Sequence, residues 1–468
     1  MKKHSQTWEI ILLTPLHVGD GESLHKDMDF MPSKQALDVI ALDAVLESLQ
    51  DNPKALSDMG RMDISSFIRS YGFSVQSAYR LPFSGAVPNE IRRFIKDAYG
   101  RPFLAGSSLK GAIRTALWQG LDRSRLPPAS DFRSFDKAVK SLEGQPHNDF
   151  LRPLQISDSP GVSGDGNLQV SDIRFFNLQT GNRAGWKDFS GRRTLDRFQD
   201  ANGIFAESLK SETRFYVKAK LDSFLPSAPV SRLWPIPPTE GLDSFESLAR
   251  AVNTHSRNIA EGEKVFFARY GQNHVAAFYD SLMQGIDGLA EKPETFIVRM
   301  AWGSGWKGMT GDWMGERELA DVRRQKPLGK KGVPVFPKTR RLAMKDGLPS
   351  QPLGWVLVQP AADDLFYSAA ENLTAASVPE AKTGISAPAI PKPAEKPVQT
   401  EIWENAFVKY TPNDGKLTAV WEGKKAETSD KDLIPRQYHN KLFKKKKGIN
   451  LKVEAEVYGN AFRLIRVW

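Results

Sequence analysis

Residues 368–400, SAAENLTAASVPEAKTGISAPAIPKPAEKPVQT, limit how the rest of the chain can fold. Large apolar side chains are few there, and alanine, proline, serine and threonine dominate. Such a stretch buries too little surface to offset the entropy of ordering it. Its prolines stiffen the later part into extended chain. The composition therefore predicts a linker over 362–400, a larger body before it and a separate unit after it, 401–468.

The body alternates strand and helix signals. TWEIILLT (7–14) is rich in β-formers and predicts a strand. LDAVLESLQDNPKAL (42–56) and VPNEIRRFIKDAYG (87–100) carry apolar residues at helical spacing. In GSSLKGAIRTAL (106–117), Leu109, Ile113, Ala116 and Leu117 share one helix face, while Lys110 and Arg114 share another. Residues 122–165 are irregular, rich in Pro, Ser, Gly and Asp. GNLQVSDIRFFNLQ (166–179) and ETRFYVKAKLD (212–222) predict strands, and LDSFESLARAVNTHSRNIAEGEK (242–264) a helix. ETFIVRMAWGSGW (294–306) predicts a strand ending in a glycine-rich loop, and PLGWVLVQP (352–360) a last strand. Two α+β domains of ferredoxin-like type with irregular insertions, 1–230 and 231–361, fit this alternation; so does a doubly wound sheet. Beyond the linker, WENAFVKYTPNDGKLTAVWEG (403–423) and INLKVEAEVYGNAFRLIRVW (449–468) each predict a hairpin. Together they predict a small all-β domain, barrel-like, of the OB or cold-shock kind.

Charge narrows the partners. The formal net charge is +10, which favours anionic partners, nucleic acid first. Residues 401–468 hold fourteen Lys or Arg against nine Asp or Glu, a surplus of +5 concentrated in KLFKKKKGIN, with Lys444, Lys445, Lys446 and Lys447 at its centre. The absence of cysteine excludes disulfides, thiolate metal sites and cysteine catalysis. The early run IILL is too short for a signal-peptide core, and no stretch approaches the ~20 apolar residues of a membrane helix. The reading is a cytoplasmic protein without a membrane partner.

FLAGSSLKGAIRTAL (103–117) looks like a phosphate-binding loop, but Lys110 precedes Gly111 and no hydroxyl follows in Walker register. NTP hydrolysis is therefore not expected. A glycine-serine turn opening a helix, with Lys110 and Arg114 one turn apart, can cradle a phosphodiester; the same pattern also describes a capped helix with solvated charges. AWGSGWKGMTGDW (301–313) reads either as a nucleic-acid groove wall or as a tight turn with buried tryptophans. In PVFPKTRRL (334–342), strand alternation puts Lys338 and Arg340 on one face and Arg341 on the other. His17 and His25 are candidate general bases for metal-free RNA cleavage, or structural loop residues. Asp158, Asp165 and Asp172 lack the spacing of a calcium loop and read as turn formers, so no metal is expected.

The order of these motifs is more specific than any one of them. TPLHVGDGE, FLAGSSLKGAIRTAL, LQVSDIRF, WGSGW, FPKTRRL and PLGWVLV, in that order over roughly residues 5–360, resemble the RAMP superfamily of CRISPR-associated proteins. The FPKTRRL…PLGW block is similar to the fifth-subunit branch of type III-A (Csm) effector complexes. Ala105 stands where the family usually has proline, and the tail after the linker lies outside the family pattern. The resemblance implies ferredoxin-like domains related to RNA-recognition folds, and a non-catalytic subunit without cofactor that caps the complex backbone and holds the 3′ part of the guide RNA. It implies as partners the guide RNA, a neighbouring RAMP backbone subunit, the small helical subunit, host maturation nucleases and, indirectly, target RNA. It implies RNA contacts from His17, Gly106, Ser107, Ser108, Lys110 and Arg114, from Trp302, Gly303, Gly305 and Lys307, and from Lys338, Arg340 and Arg341. The basic run of the tail is a further candidate RNA contact. The alternatives are a Cas6-like, metal-independent endonuclease using His17 or His25 with Lys110, and the cap of a Cmr complex.

Overall fold

The computed structural model describes residues 4–47, 49, 53–72, 77–83, 85–120, 149–180, 183–188, 193–234, 240–308, 319–320, 335–375, 400–411, 416–428, 430, 433–444, 447–458 and 461–468. The chain divides into two compact units, Met1–Ile385 and Ser386–Trp468.

The first unit opens with β1 (His4–Leu12), β2 (Gly19–His25), β3 (Phe30–Ser33) and β4 (Ala36–Ile40), followed by short helices α1 (Leu42–Glu47), α2 (Pro53–Met59) and α3 (Ile64–Tyr71). Next come β5 (Ser77–Pro82), β6 (Glu90–Phe94), α4 (Gly106–Leu117), β7 (Leu154–Ile156), β8 (Leu168–Leu178), β9 (Ala184–Lys187), β10 (Thr194–Leu195), β11 (Gly203–Leu209) and β12 (Arg214–Leu221). It ends with α5 (Phe224–Ser227), α6 (Phe245–Arg269), α7 (Asn273–Asp287), β13 (Phe296–Arg299), β14 (Thr339–Lys345), β15 (Leu348–Pro352), β16 (Trp355–Ala361) and α8 (Asp363–Ala375).

A central antiparallel sheet runs β13-β16-β1-β12-β7. Alternate β1 residues Trp8, Ile10 and Leu12 point into the core, where Trp8 meets Phe245 and Phe296 edge-on at 5.4 and 5.5 Å. Helix α4 buries Leu109, Ile113, Ala116 and Leu117, the face its spacing predicts. The same apolar cluster takes in residues of α6, β13 and β16, so one core runs from residue 8 to residue 358. A second sheet, β10-β9-β8-β11-β6-β2 with β14 also on β8, takes β2 and β6 from between β1 and α4 and β8 to β11 from between β7 and β12; β15 pairs with β14. A three-stranded sheet, β3-β4-β5, lies off it.

The second unit is a closed barrel of β17 (Thr400–Thr411), β18 (Lys416–Trp421), β19 (Lys424–Thr428), β20 (Ile449–Tyr458) and β21 (Ala461–Val467), with short helix α9 (Arg436–His439) between β19 and β20. Its own core includes Trp403, Val408, Leu417, Leu442 and Val453. The helix departs from the expected all-β unit. Ile434 and Leu442, on either side of α9, are buried with that core.

Two local readings change, and one helix had no sequence reading. Residues 87–100 do not form a helix: Glu90–Phe94 is strand β6, held between β2 and β11. Ile91 and Phe94, three apart, imitate helical spacing because both are buried on a strand opposite a register shift in β2. The supposed linker is helical through Ala375, because Lys218 pairs with Asp363 at 2.7 Å and lies 4.6 Å from the Tyr367 ring, tying α8 to β12. Helix α7, which carries no strong stop or start signal, packs on α6 through Val275, Tyr279 and Leu282. The remainder of the supposed linker, 376–399, lies outside the described residues.

Gly106 is glycine because α4 crosses β7 closely. A Cβ there would sit 2.4 Å from the Ser157 carbonyl oxygen and 2.6 Å from that of Ile156, neither of which can yield. At Gly111 a Cβ meets nothing within 4 Å. Gly106→Ala is therefore expected to destabilise by about 1–3 kcal/mol, whereas Gly111→Ala stabilises by roughly 0.5–1 kcal/mol through helix propensity. Urea denaturation of the two variants beside wild type checks both signs.

Candidate nucleic-acid interface

A cleft of about 860 Å³ opens where α4, the β1–β2 loop, β6, the loop after β13 and β14 converge. From α4 it is lined by Ser108, Gly111, Ala112 and Thr115, one helix face, with Arg114 at the margin. His17 comes from the N-terminal loop, Gly19 from the start of β2, Arg92 and Arg93 from β6, and Trp302 to Gly305 from the glycine loop. Arg341 of β14 closes the wall.

Trp302 organises the cations. The guanidinium carbons of Arg92 and Arg341 lie over its ring at 5.1 and 4.9 Å. Neither arginine meets a carboxylate among the described residues, and the buried Nε of Arg341 finds no hydrogen-bond partner there. Burial, with the charges of Arg92 and Arg299, pushes the Arg341 pKa down. Two like charges are thus held together by an aromatic ring, and an anion placed between them relieves both the repulsion and the missing hydrogen bond. Arg299 donates from Nε to the Leu353 carbonyl (3.0 Å) and from an Nη to the Gly303 carbonyl (3.2 Å), fixing the loop that carries Trp302. Gly303 adopts φ 99°, and a Cβ there would press to 3.0 Å from Leu353.

His17 is 2% exposed. Its Nδ1–H donates to the Glu207 backbone carbonyl at 2.6 Å, its carbonyl accepts the Trp302 N–H at 3.1 Å, and its ring meets Trp302 edge-on at 5.5 Å. Burial is the largest influence on its pKa and lowers it, aided by Arg92 and opposed by Glu207. The ring is therefore held neutral. Beneath it the Glu207 carboxylate accepts from Tyr79 Oη (2.6 Å), Phe94 N–H (2.7 Å) and Lys96 Nζ (2.5 Å).

The expected contacts divide. His17, Ser108, Arg114, Trp302, Gly303, Gly305 and Arg341 line the cleft. Gly106 is buried against β7, and its N–H already donates to Asp158 Oδ1 at 2.8 Å, so the helix N-terminus is partly satisfied from within. Ser107 is exposed outside the cleft lining, and Lys110 lies on another face of α4. Burial lowers the Lys110 pKa, with Arg114 adding and Asp149 opposing. Arg114 is bidentate to Asp149 at 2.7 and 3.0 Å. Burial alone would raise the Asp149 carboxyl; the hydrogen bonds from Arg114 and Leu151, with both cations, hold it below the usual range. Arg340 faces inward, its Nε 2.7–2.8 Å from both Glu263 oxygens and its guanidinium 4.0 Å from the Phe266 ring. Lys307 and Arg340 border a small neighbouring hollow. Lys338 precedes β14, and its carbonyl accepts the Leu178 N–H. Lys445 and Lys446 lie outside the described residues; Lys444 ends the turn after α9, and the exposed Lys447 donates its N–H to the Lys441 carbonyl. Of the three groups an endonuclease would use, only His17 lines the cleft; His25 is exposed at the end of β2. Arg92 and Arg93 were hidden from sequence reading by the helical spacing of their neighbours. Among the described residues there is no group of three metal-ligating side chains, and no helix is long and apolar enough to cross a membrane.

The family model of the RAMP superfamily matches residues 9–246, half of the chain, and the chain belongs to that superfamily. It is similar to the CRISPR system Cms protein Csm5 of Streptococcus thermophilus, 30% identical over 193 residues, 34% of this chain and 53% of that protein. The Csm5 of Mycobacterium tuberculosis is also 30% identical, over 104 residues, 18% of this chain and 26% of that protein. The chain thus spans about half the length of the first of these relatives and a quarter of the second. Among solved structures, it resembles a chain of a Csm-crRNA-target RNA ternary complex of a type III-A CRISPR-Cas system, with TM-score 0.55, 21% identity and coverage of 76% of this chain and 100% of that one. It also resembles T. onnurineus Csm5, with TM-score 0.50, 21% identity and coverage of 74% and 99%. At that identity the likeness is one of fold.

Two expected outcomes follow from the buried groups. Neutral His17 contributes stability fully above about pH 6.5, its unfolded pKa, and that contribution is lost as pH falls towards the lowered folded value, because the unfolded chain takes up the proton first. The thermal midpoint should therefore drop from pH 6.5 to 5, and His17→Gln should flatten the drop; calorimetry across that range measures it. Glu263→Ala leaves Arg340 buried without its partner and should cost about 3–5 kcal/mol in urea denaturation, against under ~0.5 kcal/mol for exposed Lys425→Ala in the barrel.

Proposed function

We propose that this protein is a non-catalytic RNA-binding subunit of a type III CRISPR effector of the Csm kind, which caps the complex backbone and holds the 3′ part of the guide RNA. One observation carries the reading: Arg92 and Arg341 over the Trp302 ring, in a cleft with no carboxylate partner for either among the described residues. Such a group accepts a phosphate and leaves base identity unread. Membership of the RAMP superfamily supports it, as do the Csm5 relatives and the Csm-crRNA-target RNA complex that the fold resembles. The order β16-β1-β12-β7, with α4 and α6 as the crossing helices, supports the ferredoxin-like reading of the central sheet. The RNA contacts we assign are His17, Ser108, Arg114, Trp302, Gly303, Gly305 and Arg341, with Arg92 and Arg93 added; Arg340 is assigned to structure. The partners would be the guide RNA, a neighbouring RAMP subunit, the small helical subunit and nucleases that mature the guide. Binding is favoured over cutting because His25 and Lys110 do not converge with His17 on the cleft.

The test is co-expression with the neighbouring subunits, followed by recovery and sequencing of RNA crosslinked to this chain. Arg92→Ala/Arg341→Ala should lower guide-RNA affinity at least tenfold, since charge-assisted hydrogen bonds contribute roughly 1.5–3 kcal/mol each. The slope of log affinity against log salt should flatten by about 1.4, at ~0.7 per lost phosphate contact. Unchanged recovery of guide 3′ ends would sink the assignment, and crosslinks confined to repeat hairpins in uncut precursor would favour the endonuclease.

A further inference from the structure

The barrel presents a surface that the cleft leaves without a role. Its strands close in the order β17-β18-β19-β21-β20, antiparallel throughout except for the β19–β21 pair. Counted within the unit, that order is first, second, third, fifth, fourth, the arrangement of OB-type barrels, which bind oligonucleotides on the second and third strands. The inner face is filled by Trp403, Val408, Leu417 and Ala426. On the outer face Phe407 is 46% and Val420 42% exposed, and the register sets them directly opposite each other on β17 and β18. Lys425 of β19 stands next in that row, beyond Val420. Two residues along β17, on the same side, is exposed Lys409.

The Phe407 ring lies across the backbone of Gly448. A Cβ at that glycine would fall 2.1 Å from the ring's Cζ, so only glycine lets the ring settle there. Gly448 directly follows Lys447, the last residue of the lysine run. Exposed Phe407 therefore shares its sheet face with Lys409 and Lys425, and Lys447 adjoins in sequence the glycine that its ring covers. Glu427, two residues along β19 from Lys425, pairs with Lys425 at 2.5 Å and with Lys416 at 3.3 Å. Exposed pairs of this kind are held weakly and open readily to a phosphate.

We propose that this face binds single-stranded nucleic acid, one base stacking on Phe407 against Val420 and the adjoining phosphates resting on Lys409, Lys425 and Lys447. A paired base hides its face, so a duplex cannot use the platform. The surplus of positive charge on residues 401–468 favours a polyanion over an acid-poor protein surface.

The experiment uses the full chain carrying Arg92→Ala/Arg341→Ala, so that the cleft is silent and failure there is separable from failure here. The probe is an RNA of about 15 nucleotides, within the span of one barrel site, bearing 4-thiouridine, with crosslinked peptides mapped by mass spectrometry. Crosslinks within 400–428 are expected. Phe407→Ala/Lys409→Ala should reduce their yield at least tenfold with the thermal midpoint unchanged, and Phe407→Tyr should retain most of it. Competition by single-stranded DNA as well as RNA supports the site and shows that the sugar is not read; competition by RNA alone supports it and shows that it is. Equal competition by duplex RNA, crosslinks confined to residues 1–375, equal yield in the double variant, or a protein captured on this face without any RNA crosslink would each overturn the proposal.

Discussion

A buried carboxylate that must be satisfied from several directions fixes the geometry of the larger unit. Glu207 has no solvent exposure, yet it receives Tyr79 from β5, the Phe94 N–H from β6 and the Lys96 ammonium. An isolated carboxylate could not remain charged at that depth. Burial pushes the Tyr79 pKa up and the Lys96 pKa down, so each partner shares the strain of leaving water. The same residue's backbone carbonyl holds the His17 ring, and His17 in turn accepts the Trp302 N–H. The position of Trp302, and so of the two arginines on it, follows from charge buried a layer below.

Neighbouring residues show how sharply the fold sorts charge. Arg340 and Arg341 are adjacent on β14, so the two-residue period sends them to opposite faces. One is locked to Glu263 beneath the Phe266 ring; the other reaches Trp302. Arg114 and Arg93 also line the cleft, but Asp149 and Asp20 already neutralise much of their charge. Arg92 and Arg341 are left without an ion pair among the described residues, although Glu22 and Glu90 also line the cleft.

Much of this was legible in the sequence because the signals are local. The β-forming runs TWEIILLT and PLGWVLVQP match strands β1 and β16, which are buried on both faces, and the apolar stripe of GSSLKGAIRTAL matches helix α4, which buries that stripe. The strand at 90–94 was not legible: Ile91 and Phe94 are both buried opposite the register shift in β2, a fact of its partner. Nor could it be read that Asp158 occupies the N–H of Gly106, or that Glu263, some eighty residues away, claims Arg340. Ion pairs and hydrogen bonds between distant segments leave no periodic trace, and they decide which basic residues remain available. His17 and the WGSGW loop were found because glycine-rich turns carry their constraint in their own residues.

The order of strands in the central sheet also bears on how the chain is made. Strand β16, near residue 360, supplies the second neighbour of β1, which begins at residue 4. Arg341 is contributed almost as late. A nascent chain leaving the ribosome therefore carries β1 with one edge open, and a half-built cleft, until nearly all of the first unit has emerged. Until then the incomplete protein lacks Arg341, and Trp302 carries Arg92 alone of the pair described on its ring.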